Sequence, residues 1–126
     1  MKKENKKITE LVKTFEDARK LTGRPDVPDF SNLPTDMRKH FEAQYKMIVI
    51  AEALNEGWIP DWDNYNEYKY YPWFEMSPSS FAFYGSGYDN AYAAAGSGSR
   101  LKFRTHELAE YAAKQFIDIW KDIQIA

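Results

Sequence analysis

Two thirds of the chain's large rings crowd into little more than a third of its length. Between Trp58 and Arg104 lie 14 of the 21 aromatic residues, together with every glycine except Gly23 and Gly57. Rings at that density, broken by Gly, Ser and Pro, suit pleated strands and turns better than helices. They must also either build much of the core or remain exposed for contact. The flanking segments carry few rings and show helical spacing, so the chain reads as α+β.

A length of 126 residues fits one domain and leaves no room for a second core. With 17 basic and 19 acidic residues the net charge is -2, which removes the footprint of a general duplex-DNA binder but leaves room for a local basic patch. The absence of cysteine excludes disulfides, thiolate metal sites and thiol nucleophiles. No apolar run approaches ~18 residues and the lysine-rich start has no apolar stretch behind it, so neither a membrane span nor a secretory signal is read, and a cytoplasmic setting is the expectation.

Met1 to Lys7 is expected to be a flexible lysine-rich tail, with residues 8–126 forming a single α+β domain. Ile8, Leu11, Val12, Phe15 and Ala18 recur at helical spacing, while Thr14 and Asp17 also form a capping box; either one helix runs through to Leu21 or a shorter one starts at Thr14. Pro25, Pro28 and Pro34 make the next stretch an extended connector, anchored by Val27, Phe30 and Leu33. A long helix is expected over Thr35 to Glu56, with Gly57 at its stop and a wide stripe that includes Met37, Phe41, Tyr45, Ile48, Met47, Ile50 and Leu54. Tyr68 to Phe74 and Ser80 to Tyr84 are strand candidates joined by a five-residue connection, and Gly85 to Gly98 reads as a loop. Ser99 to Arg104 alternates: Leu101 and Phe103 point one way, Arg100, Lys102 and Arg104 the other, as in a third, half-buried strand. Thr105 then caps a final helix to Ile123, with Leu108, Ala112, Phe116 and Ile119 on its inner face.

Little in this chain points to catalysis. His40 and His106 are the two histidines, and no Gly-Xaa-Ser-Xaa-Gly elbow accompanies them, so both are read as surface or boundary residues. Asp61, Asp63 and Glu67 superficially suggest a calcium loop, but Tyr65, Asn66 and Pro72 stand where its other elements should be; turns in which Asp and Asn bond their own backbone are the better reading. Gly85-Ser86-Gly87 and Gly96-Ser97-Gly98 open no helix and lack the lysine of a phosphate loop, which leaves loop flexibility and positive φ as their explanation. No catalytic residue, metal ligand or cofactor is assigned.

Two features carry a functional reading. Tyr84, Tyr88 and Tyr92 lie among Gly, Ser, Asn and Ala, the composition of an adaptable contact loop. The alternating cations Arg100, Lys102 and Arg104 follow directly, and cations beside exposed rings also suit single-stranded nucleic acid. Against both stand the commoner roles of such residues, rings as core and alternating cations as a guarded sheet edge.

Glu52 to Trp62, Tyr68 to Phe74 and Gly98 to Tyr111 resemble a family of small proteins encoded by gut Bacteroidales and their phages. The resemblance covers most of the chain from Thr14 onward. It implies a phage or mobile-element setting and brings no activity with it. In that group cysteine often stands where this chain has Lys102.

The resulting expectation is a three-stranded antiparallel sheet packed on a long central helix and a C-terminal helix, with a shorter N-terminal helix. Its role is a non-enzymatic binding module. The partner is a protein, contacted through Tyr84, Tyr88, Tyr92, Arg100, Lys102 and Arg104; a single-stranded nucleic acid is the alternative, a small-substrate enzyme the third, and a homo-oligomer a further option.

Overall fold

The fully buried Phe103 shares one core cluster with side chains from the helices. In the computed structural model, which describes residues 6–89 and 98–126, the elements are α1 (Ile8–Leu11), α2 (Phe15–Thr22), α3 (Thr35–Leu54), β1 (Lys69–Glu75), β2 (Ala82–Asp89), α4 (His106–Gln115) and α5 (Ile117–Gln124). The class is α+β. Among the described residues the sheet has two antiparallel strands, not the three expected.

The N-terminal segment resolves in favour of a helix starting at Thr14. The Thr14 hydroxyl accepts from the Asp17 N–H at 3.0 Å while the Asp17 carboxylate accepts from the N–H groups of Lys13 and Thr14, which separates α1 from α2. The Lys13 N–H does most to hold the Asp17 carboxyl below its ordinary value, and with the Thr14 hydrogen bonds it outweighs desolvation. Gly23, at φ 75°, ends α2 in the left-handed conformation that glycine adopts without strain.

α3 supplies the central wall, and apart from Ala43 its core residues lie in its second half. Met47, Val49, Ile50, Ala51 and Leu54 are buried, whereas Met37 and Phe41 are exposed and Ile48 is half-buried. Two contacts tie the proline-rich connector to the helix ahead of Met47: Phe30 packs on Phe41 at 6.1 Å, and the Tyr45 hydroxyl donates to the Pro25 carbonyl at 2.6 Å. α3 ends two residues earlier than the spacing predicts, because Asn55 turns its side chain across to the segment before α4, donating to the Lys102 carbonyl at 2.8 Å and accepting from the Arg104 N–H at 3.0 Å.

The final helix is two helices. Phe116 leaves helical geometry at φ -114°, ψ 36°, and Trp120 on α5 donates its indole N–H back to the Ala112 carbonyl on α4. Both rings are buried by this break. Thr105 caps α4 as expected, its hydroxyl accepting from Leu108 at 3.1 Å. No described helix is long and apolar enough to cross a membrane.

Candidate functional site: the aromatic hairpin

β1 and β2 pair in the register Tyr70↔Tyr88, Tyr71↔Gly87, Pro72↔Ser86 and Trp73↔Gly85, followed by a shift to Phe74↔Phe83 that leaves Tyr84 as a bulged residue. β2 therefore begins later and runs further than expected, taking in Gly85-Ser86-Gly87, which is strand and not loop. Neither of these glycines has positive φ. At Gly87 the requirement is space: a Cβ there would stand 2.7 Å from the Trp73 indole nitrogen and 3.1 Å from the Tyr71 ring, so the two rings lie over the glycine backbone. That is a packing reason for glycine, where the sequence suggests conformational freedom.

One face of the hairpin is backed by the helices. Phe74 stacks on Phe81 and tilts against Trp120, Tyr70 approaches His106, and the Ser86 hydroxyl hydrogen-bonds His106 Nδ1 at 2.8 Å. Rings also line the ends of the hairpin, Tyr68 stacking flat on Tyr88 at 4.3 Å. Yet Trp73, Tyr84, Tyr88 and Met76 remain about half or more exposed, Tyr84 the most at 68%. Trp73 stands on the face opposite Tyr70, Ser86 and Tyr88, so uncovered rings lie on both sides of the hairpin.

The basic row expected beside this surface is not there. Ser99–Leu101 is a 3-10 turn, and only Phe103 reaches β1, exchanging both backbone hydrogen bonds with Tyr70 at 3.0 and 2.8 Å. With the alternation broken, Lys102 points inward and is fully buried, 3.1 Å from the Asp89 carboxylate and 4.6 Å from the Tyr71 ring centre. Arg104 pairs with Glu56 at 2.6 Å. Arg100 alone stays exposed, and it faces a different feature, a cleft of about 320 Å³ it shares with Arg24, Trp58 and Ser99. A second cleft of about 390 Å³ lies beside β1, with Trp73, Phe74, Leu101 and Trp120 among its walls. Tyr92 falls outside the described residues, as do 90–97 of the expected loop and 1–5 of the expected tail.

A second buried lysine was not singled out from the sequence. Lys69 Nζ donates to the carbonyls of Asn64 and Glu67 at 2.9 and 2.8 Å, lies 3.4 Å from the Glu67 carboxylate, and sits over the Trp62 ring. Two hydrogen bonds, an ion pair and a ring face thus surround it, which is how a buried ammonium is tolerated. Glu67 organises the preceding turn as well, accepting from the Trp58 indole at 2.9 Å and the Asp61 N–H at 2.7 Å. Burial pushes its carboxyl up, but the Asp61 N–H, the Trp58 indole and Lys69 together outweigh this and hold it below the ordinary value. Asp61 and Asn64 bond the N–H groups of Asp63 and Asn66, the turn chemistry expected in place of a calcium loop.

Ser86 and His106 form a hydroxyl–imidazole pair, but among the described residues no carboxylate hydrogen-bonds the other ring nitrogen, and neither residue lines either of the two clefts above. His40 is half-buried against Phe41. No protein-family model, curated protein or solved structure matches the chain.

Proposed function

We propose that this protein is a non-enzymatic binding module that engages a protein partner through the hairpin, with Trp73, Tyr84 and Tyr88 as anchors. The observation that carries the reading is a set of large exposed rings on a helix-backed hairpin whose neighbouring Lys102 and Arg104 are each committed to a carboxylate. Exposed Trp and Tyr held on firm backbone deliver contact area at low entropic cost, the pattern of interface anchors. A single-stranded nucleic acid would need cations tracking its phosphates, and burial of Lys102 with pairing of Arg104 takes two of the three candidates out of that role. The phage or mobile-element setting implied by the resemblance agrees with a small module whose task is to contact another protein.

The test compares wild type with the Trp73→Ala and Tyr84→Ala variants in crosslinked capture from host lysate, with and without nuclease. One protein captured by wild type, lost with either variant and indifferent to nuclease and to added salt supports the reading. Capture that nuclease abolishes, or that falls steeply with salt, moves the function to nucleic acid.

A further inference from the structure

The two outer edges of the hairpin are not equivalent. On β1, Tyr70 gives both its N–H and its carbonyl to Phe103, and Pro72, facing the same side two residues on, has no N–H to offer. That edge is occupied and then blocked. Because Tyr70 turns its backbone groups away from β2, the pair Tyr70↔Tyr88 is of the type that exchanges no hydrogen bonds, as is Pro72↔Ser86 next along. The N–H and carbonyl groups of Ser86 and Tyr88 therefore point away from β1, to the outer edge of β2. Among the described residues nothing accepts from or donates to them there.

Natural proteins guard such an edge with lysine, proline or an inward-pointing charge. From Ala82 to Tyr88 this strand carries no charged residue and no proline, and its one charge, Asp89, is committed to Lys102. The segment is also suited to itself. Antiparallel pairing about a two-fold axis through Gly87 sets Ser86 of one copy opposite Tyr88 of the other, twice, with glycine facing glycine at the axis and no like charges opposed.

We infer that the outer edge of β2 is the interface between two copies of this chain, joined as a continuous four-stranded antiparallel sheet. The pairing supplies four main-chain hydrogen bonds, from the N–H groups of Ser86 and Tyr88 in each copy. It leaves Trp73 on the far strand uncovered, so the dimer presents that anchor twice. The inference does not depend on the identity or existence of another protein partner.

Sedimentation equilibrium of the full chain from about 1 μM to about 1 mM, the span over which weak interfaces assemble, combined with amide hydrogen exchange on the same samples, tests it. The expected result is a mass rising from 14.8 kDa toward twice that value, with protection of the Ser86 and Tyr88 amides rising in step. Ser86→Pro removes one outward N–H and is expected to stay monomeric, while Ser86→Ala keeps it and is expected to dimerise as wild type does. A mass fixed at the monomer value overturns the inference. Association without protection at Ser86 and Tyr88, or undiminished in a folded Ser86→Pro variant, overturns it equally by placing the interface elsewhere.

Discussion

In the helical half of the protein, burial falls on Met47, Val49, Ile50, Leu54, Ala109 and Ala112, side chains that need only volume from their neighbours. In the hairpin half it takes in Pro72 and Phe103 but also two lysines, Lys69 and Lys102, which need particular partners in particular places. The first kind of burial tolerates exchange for another apolar side chain of similar size. The second does not, because removing one partner strands a charge that cannot reach water. The two halves should therefore fail differently under mutation.

The largest expected loss lies in the helical half. Phe116 is buried at the break between α4 and α5 and packs on Tyr111, so Phe116→Ala should cost about 3 to 5 kcal/mol in urea unfolding. Ile48, on the same wall as the buried residues of α3 but half-buried at the cleft, should cost about 1 kcal/mol or less on truncation to alanine. Equal losses at the two positions would mean that the outer flank of α3 is as much core as the inner one.

The next loss belongs to the hairpin. Asp89→Ala leaves the fully buried Lys102 ammonium without its carboxylate and should cost about 3 kcal/mol, toward the low end for breaking a buried pair because Asp89 keeps 16% exposure and Tyr71 still faces the cation. The double variant Asp89→Ala, Lys102→Met removes both charges and should recover much of that loss. If the double variant is no more stable than Asp89→Ala alone, the contrast drawn between the two halves does not hold.

This contrast also explains how much of the molecule could be read from its sequence. Periodicity reports which way a side chain faces only while the backbone stays regular, and it located α3, α4 and α5 because apolar residues dominate their inner faces. It failed at Phe116, where one residue leaves the helix without a Gly or Pro to announce it. It failed again from Ser99 to Arg104, where the alternation of Leu101 and Phe103 with cations imitates a strand that exists only at Phe103. The inward turn of Lys102 depends on Asp89 and Tyr71, which approach it through tertiary structure. Lys69 is equally illegible: its partners, Asn64 and Glu67, are close in sequence, but nothing local says that a lysine in an aromatic strand will be the buried residue. Gly87 carries a legible identity and an illegible reason, since the two rings over it belong to the opposite strand.

The smallest expected effect concerns the turn that holds Lys69, and its sign follows from Glu67. This carboxyl lies below its ordinary value of 4.5 in the folded protein because the charged form accepts from the Asp61 N–H and the Trp58 indole and pairs with Lys69. A group depressed on folding contributes stability that is fully present above its unfolded value and disappears as pH falls through the folded one. Wild type should therefore lose stability on acidification below about pH 4.5. Other depressed carboxyls, Asp17, Asp29 and Glu110 among them, contribute to the same decline, so the informative quantity is the difference from Glu67→Gln. That variant keeps an acceptor for the Asp61 N–H but never carries the charge Lys69 faces; it should be less stable than wild type near neutrality, with the gap narrowing as both are acidified. Thermal unfolding across that pH range measures the gap directly. A gap that stays constant would show that Glu67 acts on this turn through shape and hydrogen bonding alone, and that the charge of Lys69 is carried by the Asn64 and Glu67 carbonyls.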